Sequence, residues 1–176
     1  MRIISGKLGG RQFHAPPGNR THPMSDKMRG ALFNTLGDIN SSTVLDTFAG
    51  SGALSFEAVS RGAAHVTAIE IDKNAHTQVL KNIKTLEIED KVRAVRANVS
   101  GWSDNNPEAR FDLVLLDPPY EGISLLLISK MSLHAKNGGL VVLSYPGDKQ
   151  PPNIKGFDLI TAKLYGDSQL AFYRKK

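Results

Sequence analysis

The sequence predicts one α/β domain. It is a mostly parallel, doubly wound, Rossmann-like sheet of seven strands, with an antiparallel C-terminal hairpin and a small N-terminal extension of one β-hairpin and one helix. Three observations predict it. From Thr43 onward, short apolar runs alternate with stretches of helical spacing, the pattern of βαβ units. The run at 111–116 is nearly all apolar, as a strand is when helices cover both its faces. The last two runs flank Gly166-Asp167-Ser168, which reads as the turn of a hairpin adding an antiparallel edge.

Taken in order, Arg2-Ile3-Ile4-Ser5 and Arg11-Gln12-Phe13-His14 read as two short strands around a turn at 7–10, ended by Pro16-Pro17-Gly18. Ser25 reads as an N-cap, Met28, Ala31, Leu32 and Leu36 follow at helical spacing, and Gly37 fits the stop. A buried strand covers 44–48, and a helix covers 53–61, closed by Gly62. A second strand covers 65–70. The amphipathic helix at 73–86 places Ala75, Val79, Leu80 and Ile83 on one side. Strands follow at 92–95, 111–116 and 139–144, with a helix at 124–133 between the last two. The closing hairpin pairs 157–163 with 169–174. At 176 residues, with no repeats and no linker, the chain divides most simply into an extension at 1–40 and a main domain at 41–176.

Composition removes several classes. There is no cysteine, hence no disulfide framework, thiolate metal site or cysteine nucleophile. The five histidines show no metal-ligand spacing, so no metal is expected. The N-terminus has no signal-peptide core, and the longest apolar runs are far too short to span a bilayer. A cytoplasmic monomer with no membrane partner is the expectation. The net charge is +5, and residues 1–30 hold six Lys/Arg against one acid, so the excess sits in the extension. A basic arm on a neutral body fits a polyanion partner, because such side chains neutralise phosphates and release counterions. It equally fits an ordinary solvated surface.

The first strand of the main domain runs into Phe48-Ala49-Gly50-Ser51-Gly52-Ala53. In open α/β sheets ligands bind at the carboxyl ends of the strands, and glycines there let the backbone turn and a ligand approach closely. Alone, this is also an ordinary tight turn. Glu70 ends the second strand, where an acid can accept both hydrogens of a ribose diol. A dinucleotide fingerprint would want a glycine at Ser55, and no Walker lysine follows. S-adenosylmethionine has a ribose and an adenine but no pyrophosphate, so it fits this pattern better than NAD. Asp46, Phe48, Ala49, Gly50, Ser51, Gly52, Ala53, Glu70, Ile71 and Asp117 are the candidate cofactor contacts. Asn98 joins them as an adenine contact or serves only as a turn former.

The fourth strand ends in Asp117-Pro118-Pro119-Tyr120, the most specific motif in the chain. Two prolines cannot continue a central strand, and they fix the backbone as it leaves the sheet. The four residues are the candidate catalytic set. An exocyclic amine of a nucleic-acid base is a poor nucleophile, because its lone pair is delocalised into the ring. The Asp117 carboxylate and the Pro118 carbonyl can each accept one N–H, which orients the nitrogen and favours the positive charge forming on it. Tyr120 can stack on the base, which must be unpaired or flipped to reach the loop.

These segments together resemble the bacterial 16S ribosomal RNA guanine-N2 methyltransferases of the RsmD type. The resemblance runs from Arg2-Ile3-Ile4-Ser5-Gly6 and Gly10-Arg11, through Pro23 to Asp26, Arg29 and Leu32-Phe33-Asn34, to Leu45-Asp46-Thr47-Phe48-Ala49-Gly50-Ser51-Gly52-Ala53-Leu54. It continues in Glu57-Ala58, Ser60-Arg61-Gly62-Ala63, Asp117-Pro118-Pro119-Tyr120, and Tyr165-Gly166 with Leu170 and Tyr173. It implies a class I methyltransferase fold, S-adenosylmethionine as donor with S-adenosylhomocysteine as product, and methylation of one guanine in 16S rRNA of the small ribosomal subunit. The family usually has Arg-Pro-Thr where this chain has His22-Pro23-Met24, and often Glu at Gly30. Arg2, Lys7, Arg11, Arg20 and Arg29 would then contact rRNA phosphates.

Three competing readings remain. A DNA adenine-N6 methyltransferase shares the tetrapeptide but usually needs a target-recognition region, for which this chain has little room. A protein-glutamine methyltransferase would carry Asn at Asp117. A non-catalytic RNA-binding assembly factor would not need Asp117 or Tyr120.

Overall fold

The computed structural model describes residues 1–17 and 24–176. The elements follow in the order α1 (Asp26–Leu36), β1 (Thr43–Asp46), α2 (Ala53–Ser60), β2 (His65–Glu70), α3 (Lys73–Leu86), β3 (Val92–Arg96), α4 (Val99–Asn105), β4 (Phe111–Leu116), α5 (Leu125–Ser132), β5 (Ala135–Pro146), β6 (Phe157–Tyr165) and β7 (Ser168–Lys175). The seven strands form one sheet in the order β3-β2-β1-β4-β5-β7-β6. β1 to β5 pair in parallel, and β7 pairs antiparallel with both β5 and β6. The expected sheet and its closing hairpin are both present.

The period-2 alternation of the strands builds two cores. Val44, Val66, Leu113, Leu115 and Val142 face one side, where Leu32 and Phe33 of α1, Phe56 and Val59 of α2, and Val79 and Ile83 of α3 cover them. Leu45, Ile69, Val114, Leu116 and Leu143 face the other, against Val99 and Trp102 of α4 and Ile128 and Met131 of α5. Helix ends follow local chemistry. Ser25 Oγ accepts the Met28 N–H at 3.2 Å, and Asp72 Oδ1 accepts those of Asn74 and Ala75 at 2.8 and 2.9 Å.

Four expectations need correction. The N-terminal hairpin is reduced to a single antiparallel bridge, Arg2 to Gln12. Backbone bonds still join its two arms, as from Ile3 N–H to Arg11 O and from Phe13 N–H to Met1 O, both at 3.0 Å, and others reach α2: Ile4 and Ser5 donate to Glu57, and the Lys7 N–H donates to Ser60 O at 2.7 Å. Leu80 lies on the outer face of α3 at 46% exposure, and Asn82 takes an inward place. The reason is polar. Asn82 Oδ1 accepts the His14 N–H at 3.1 Å and its Nδ2 donates to His14 O at 2.8 Å, so it replaces a strand partner for the arm. Helix α4 was not anticipated, because Ser100 and Gly101 are weak helix formers. It stands on the Asn98 cap and on Val99 and Trp102 buried in the second core. β5 is also longer than 139–144, and its pairing with β4 shifts register between Phe111 and Leu113.

Candidate active site

The strand order reverses between β1 and β4, a switch point of the kind at whose carboxyl ends open α/β sheets bind ligands. The loops after β1 and β4 are therefore neighbours, and the Gly-rich turn and the tetrapeptide come together there although 60-odd residues separate them in sequence. Thr47 keeps the two loops in register, its N–H and hydroxyl both donating to Leu115 O, at 3.1 and 2.9 Å.

Asp46 ends β1 with no exposed surface. Its Oδ2 accepts a 2.6 Å hydrogen bond from Ser55 Oγ, whereas Oδ1 has no partner among the described residues. Burial pushes its carboxyl up to about 7; the Ser55 hydroxyl opposes this, and the charges of Asp117 and Glu70 add to it. Ser55 reads in the sequence only as an absent glycine. Among the described residues it is the one side chain that donates a hydrogen bond to Asp46.

The two glycines are needed for different reasons. Gly50 has φ 53° and turns its N–H onto Glu70 Oε2 at 2.7 Å. Gly52 caps α2 with φ 83°, and a Cβ there would lie 2.5 Å from Phe56 Cζ. Ala49, Ser51 and Ala53 are buried, and Phe48 and Gly50 are partly exposed. Glu70 also accepts the Asp72 N–H on Oε1 at 2.7 Å. Each Glu70 oxygen thus holds one backbone donor and retains a second acceptor position. The backbone orients this carboxylate without exhausting it. Ile71, next in the chain, is 61% exposed at the end of β2, an apolar surface beside the acid. Asn98 acts as the N-cap of α4, with Oδ1 accepting from Ser100 and Gly101 at 2.9 and 3.2 Å. Its carboxamide oxygen is therefore committed to the helix, as the turn-forming reading allows.

After β4, Asp117 is partly buried, Pro118 buried, Pro119 exposed and Tyr120 partly buried. Burial pushes the Asp117 carboxyl up to about 6, against the opposing hydrogen bond from the Ser144 side chain. Ser144 also lies 2.7 Å from the Tyr120 hydroxyl, Oγ to Oη. It lies in β5, 3% exposed, and only its strand position was visible in the sequence. Asp46, Glu70 and Asp117 thus bring three carboxylates to the carboxyl ends of β1, β2 and β4.

The expected role of the basic arm is corrected at one residue. Arg29 has no exposed surface. Its Nη2 donates to Arg2 O at 2.8 Å and Asp26 Oδ1 at 2.9 Å, and its Nε stands 3.7 Å from Glu57 Oε2. A guanidinium so enclosed has no face to offer a phosphate. Arg11 donates to Leu86 O and Thr85 O at 2.9 and 2.8 Å, satisfying carbonyls at the C-terminus of α3. Arg2 is exposed but paired with Asp26 at 3.3 Å, and Lys7 is exposed. Arg20 and the His22-Pro23 departure lie outside the described residues. Among the described residues, no group of three or more His, Asp or Glu side chains is placed to hold a metal ion. No described helix is long and apolar enough to cross a membrane.

The family model described as conserved hypothetical protein 95 matches residues 1–174. The Bacillus subtilis protein YlbH is 33% identical over 184 residues, covering 100% of both chains. A Haemophilus influenzae protein named ribosomal RNA small subunit methyltransferase D is 32% identical over 183 residues, covering 99% of this chain and 93% of its own. Among solved structures, yhhF of Escherichia coli superposes with a TM-score of 0.88 at 31% identity, covering 100% of this chain and 98% of that one.

Proposed function

The chain belongs to the RsmD family, matched as conserved hypothetical protein 95, and from that premise we propose that it transfers a methyl group from S-adenosylmethionine to the exocyclic N2 of one guanine in 16S rRNA of the small ribosomal subunit. The observation that carries this reading is the emergence of Asp117-Pro118-Pro119-Tyr120 at the switch point, beside Asp46 and Glu70. The Haemophilus relative's name supports the substrate class.

The residues present fit the cofactor. Glu70 retains an acceptor position on each oxygen for a ribose diol, and Ile71 offers an apolar face for an adenine. The unpartnered Asp46 Oδ1 is an acceptor for a cationic group, and a site lined by three carboxylates complements a positively charged ligand. Bound S-adenosylmethionine supplies a methyl group on a positively charged sulfur and is left as S-adenosylhomocysteine. Asn98 contributes to this pocket as the cap of α4.

The chain's own residues do the rest. Ionised Asp117 accepts one N–H of the guanine amine and the Pro118 carbonyl accepts the other, which turns the nitrogen lone pair out of the ring plane. As the nitrogen gains its bond to carbon it becomes positive, and the Asp117 charge stabilises that development at short range in a partly dry site. Tyr120, tethered at its hydroxyl, presents its ring to the base. With a carboxyl at about 6, Asp117 is mostly ionised at neutral pH.

In this reading residues 1–40 act as the RNA-binding extension and 41–176 as the methyltransferase domain. The division is one of role rather than of packing, since Ile3 and Phe13 sit in the same core as the sheet. Lys7 and Arg2 are its exposed phosphate contacts among the described residues. The test is a substrate panel. Labelled S-adenosylmethionine is incubated with the protein and, in parallel, small ribosomal subunits, naked rRNA, DNA and a release factor. Label is expected in small-subunit rRNA; label in DNA or protein, or in nothing, overturns the reading.

A further inference from the structure

The parallel strands have two ends, and the catalytic loop occupies the carboxyl one. We propose that the opposite end holds a seat for one phosphate group of the RNA backbone, a cavity lined by Lys7 of the N-terminal arm and Lys91 at the entrance to β3. The seat rests on the reading of the substrate as RNA.

The cavity holds about 240 Å³, and its lining includes Lys7, Asn40, Ser41, Gly62, Ala64 and Lys91. Because β1, β2 and β3 run parallel, the segments that enter them meet at one edge of the sheet. Backbone bonds lace those segments together: the Ser41 N–H donates to Gly62 O, and the Ala64 N–H donates to Ser42 O, both at 2.9 Å. The arm is fastened to the same rim. Its Lys7 N–H donates to Ser60 O at 2.7 Å, and its Leu8 N–H donates to Ser60 Oγ at 2.9 Å. Two backbone features shape the wall. Gly62 has φ 104°, and a Cβ there would lie 2.8 Å from Asn40 Oδ1, so glycine lets the Asn40 amide pack close. Ser41 has φ 60°, a left-handed conformation that a residue with a side chain seldom adopts.

The lining carries two cations and no acid. Asn40 and Ser41 are exposed, and their side chains, like the Lys7 ammonium, make no hydrogen bond with the described residues. Lys91 Nζ stands 4.0 Å from Asp90 Oδ2, a contact between two exposed side chains that adds little in water. Glu89 is a second exposed acid before Lys91. The other nearby acids are engaged: Glu57 accepts from Ile4, Ser5 and Arg61, and Asp38 Oδ1 accepts the Asn40 N–H at 2.8 Å. Two ammonium groups, an amide and a hydroxyl around one concavity are donors for a group with several anionic oxygens. A concave surface of one sign also concentrates its field on such a group.

Placement gives the seat its use. Asp117 follows the carboxyl end of β4, whose six residues span roughly 20 Å. A phosphate held at the amino edge therefore belongs to RNA several nucleotides from the base in the catalytic loop. It fixes the position of the substrate without reading its sequence. The arm and the main domain each supply one lysine, so the seat exists only where the two are joined.

The experiment measures the salt dependence of small-subunit binding for wild type, Lys7→Ala, Lys91→Ala and the double variant. Lys163→Ala, on β6 at the far edge of the sheet, serves as the charge-matched control. Each cavity variant should lower the slope by about one unit. The double variant should also lose about one unit rather than two, because both lysines serve one phosphate. Methyl transfer by Lys91→Ala should show a raised KM for subunits with kcat kept. An unchanged slope in Lys91→Ala, an equal fall in Lys163→Ala, or a loss of about two units in the double variant overturns the shared seat. A second readout needs no turnover: the Ser41 and Ala64 amides of wild type, followed by NMR, should move on adding a single-stranded oligoribonucleotide, and stay still in Lys91→Ala. Movement with inorganic phosphate alone marks a small-anion site and overturns the RNA seat, as does movement with neither. Absence of methyl transfer in wild type overturns the functional reading instead, and leaves the oligonucleotide titration to decide the seat.

Discussion

Two buried acids, eleven residues apart in sequence, are treated in opposite ways. Glu57, on α2, has no exposed surface and accepts from Ile4 N at 2.8 Å, Ser5 N at 3.1 Å and Arg61 Nε at 2.8 Å, with Arg29 Nε at 3.7 Å. Asp46, at the end of β1, is as deeply enclosed and receives the Ser55 hydroxyl and the Phe48 backbone N–H, with Oδ1 left open. A buried charge that is fully paired organises the structure around it; one left half-paired is costly unless something else completes it. The N-terminal arm is the first kind of region, a basic segment whose charges are largely consumed in holding it to α2 and α3. The carboxyl edge is the second kind, where three acids gather with acceptor capacity unspent. The arm's charge is thus largely spent on the fold, whereas the acids at the carboxyl edge keep acceptor capacity.

The largest effect should come from breaking the satisfied region. Glu57→Ala leaves Arg29 buried without its second acid and strips two backbone donors of the arm, at a cost of about 3–5 kcal/mol. Chemical denaturation should register that loss, and a change below about 1 kcal/mol would mean the arm is held by packing alone. Asp117→Ala should remove about 4 kcal/mol of transition-state stabilisation, a thousandfold fall in turnover, with S-adenosylmethionine affinity kept. Loss of cofactor binding as well would make Asp117 a structural residue and blur the contrast.

Asp46 sharpens the comparison through pH. Its folded-state value of about 7 lies above the ordinary 3.8. The stability associated with its protonated form is thus complete below about pH 4 and is lost as pH rises to about 7. Asp46→Asn, which cannot ionise, should gain on the order of 2 kcal/mol over wild type at pH 8 and much less at pH 4.5, measured by thermal melts without cofactor. Equal stabilisation at both pH values would show that Asp46 is already completed within the fold. The smallest effect belongs to the exposed arm. Lys7→Ala should leave stability within about 0.5 kcal/mol and lower the salt slope of rRNA binding by about one unit. An unchanged slope would remove Lys7 from the RNA contacts and leave the arm wholly structural.

The sheet was legible because burial on both faces leaves a dense apolar signature, and Ser25 and Gly37 bracket α1 by chemistry visible in the residues themselves. The tetrapeptide and Glu70 were legible for the same reason: a double proline after an apolar strand and an acid after the next strand have few other uses. What could not be read were partners distant in sequence. Arg29 looks like any surface arginine until Glu57 is found 28 residues on, and Arg11 gives no sign of the α3 carbonyls it caps. Asn82 and Ser144 are hidden likewise, because each works through a bond to a chain segment more than 20 residues away. Helix α4 was missed because weak formers are held there by a cap and by Trp102 in the core, not by propensity.

The most direct test is the identity of the product nucleoside. Small ribosomal subunits lacking the modification are treated with the protein and isotopically labelled S-adenosylmethionine, and the rRNA is digested and resolved by mass spectrometry. One labelled N2-methylguanosine per subunit is predicted, absent when Asp117→Ala replaces wild type. Label in N6-methyladenosine, or label undiminished in Asp117→Ala, would contradict the assignment of Asp117 and Pro118 as acceptors for a guanine amine.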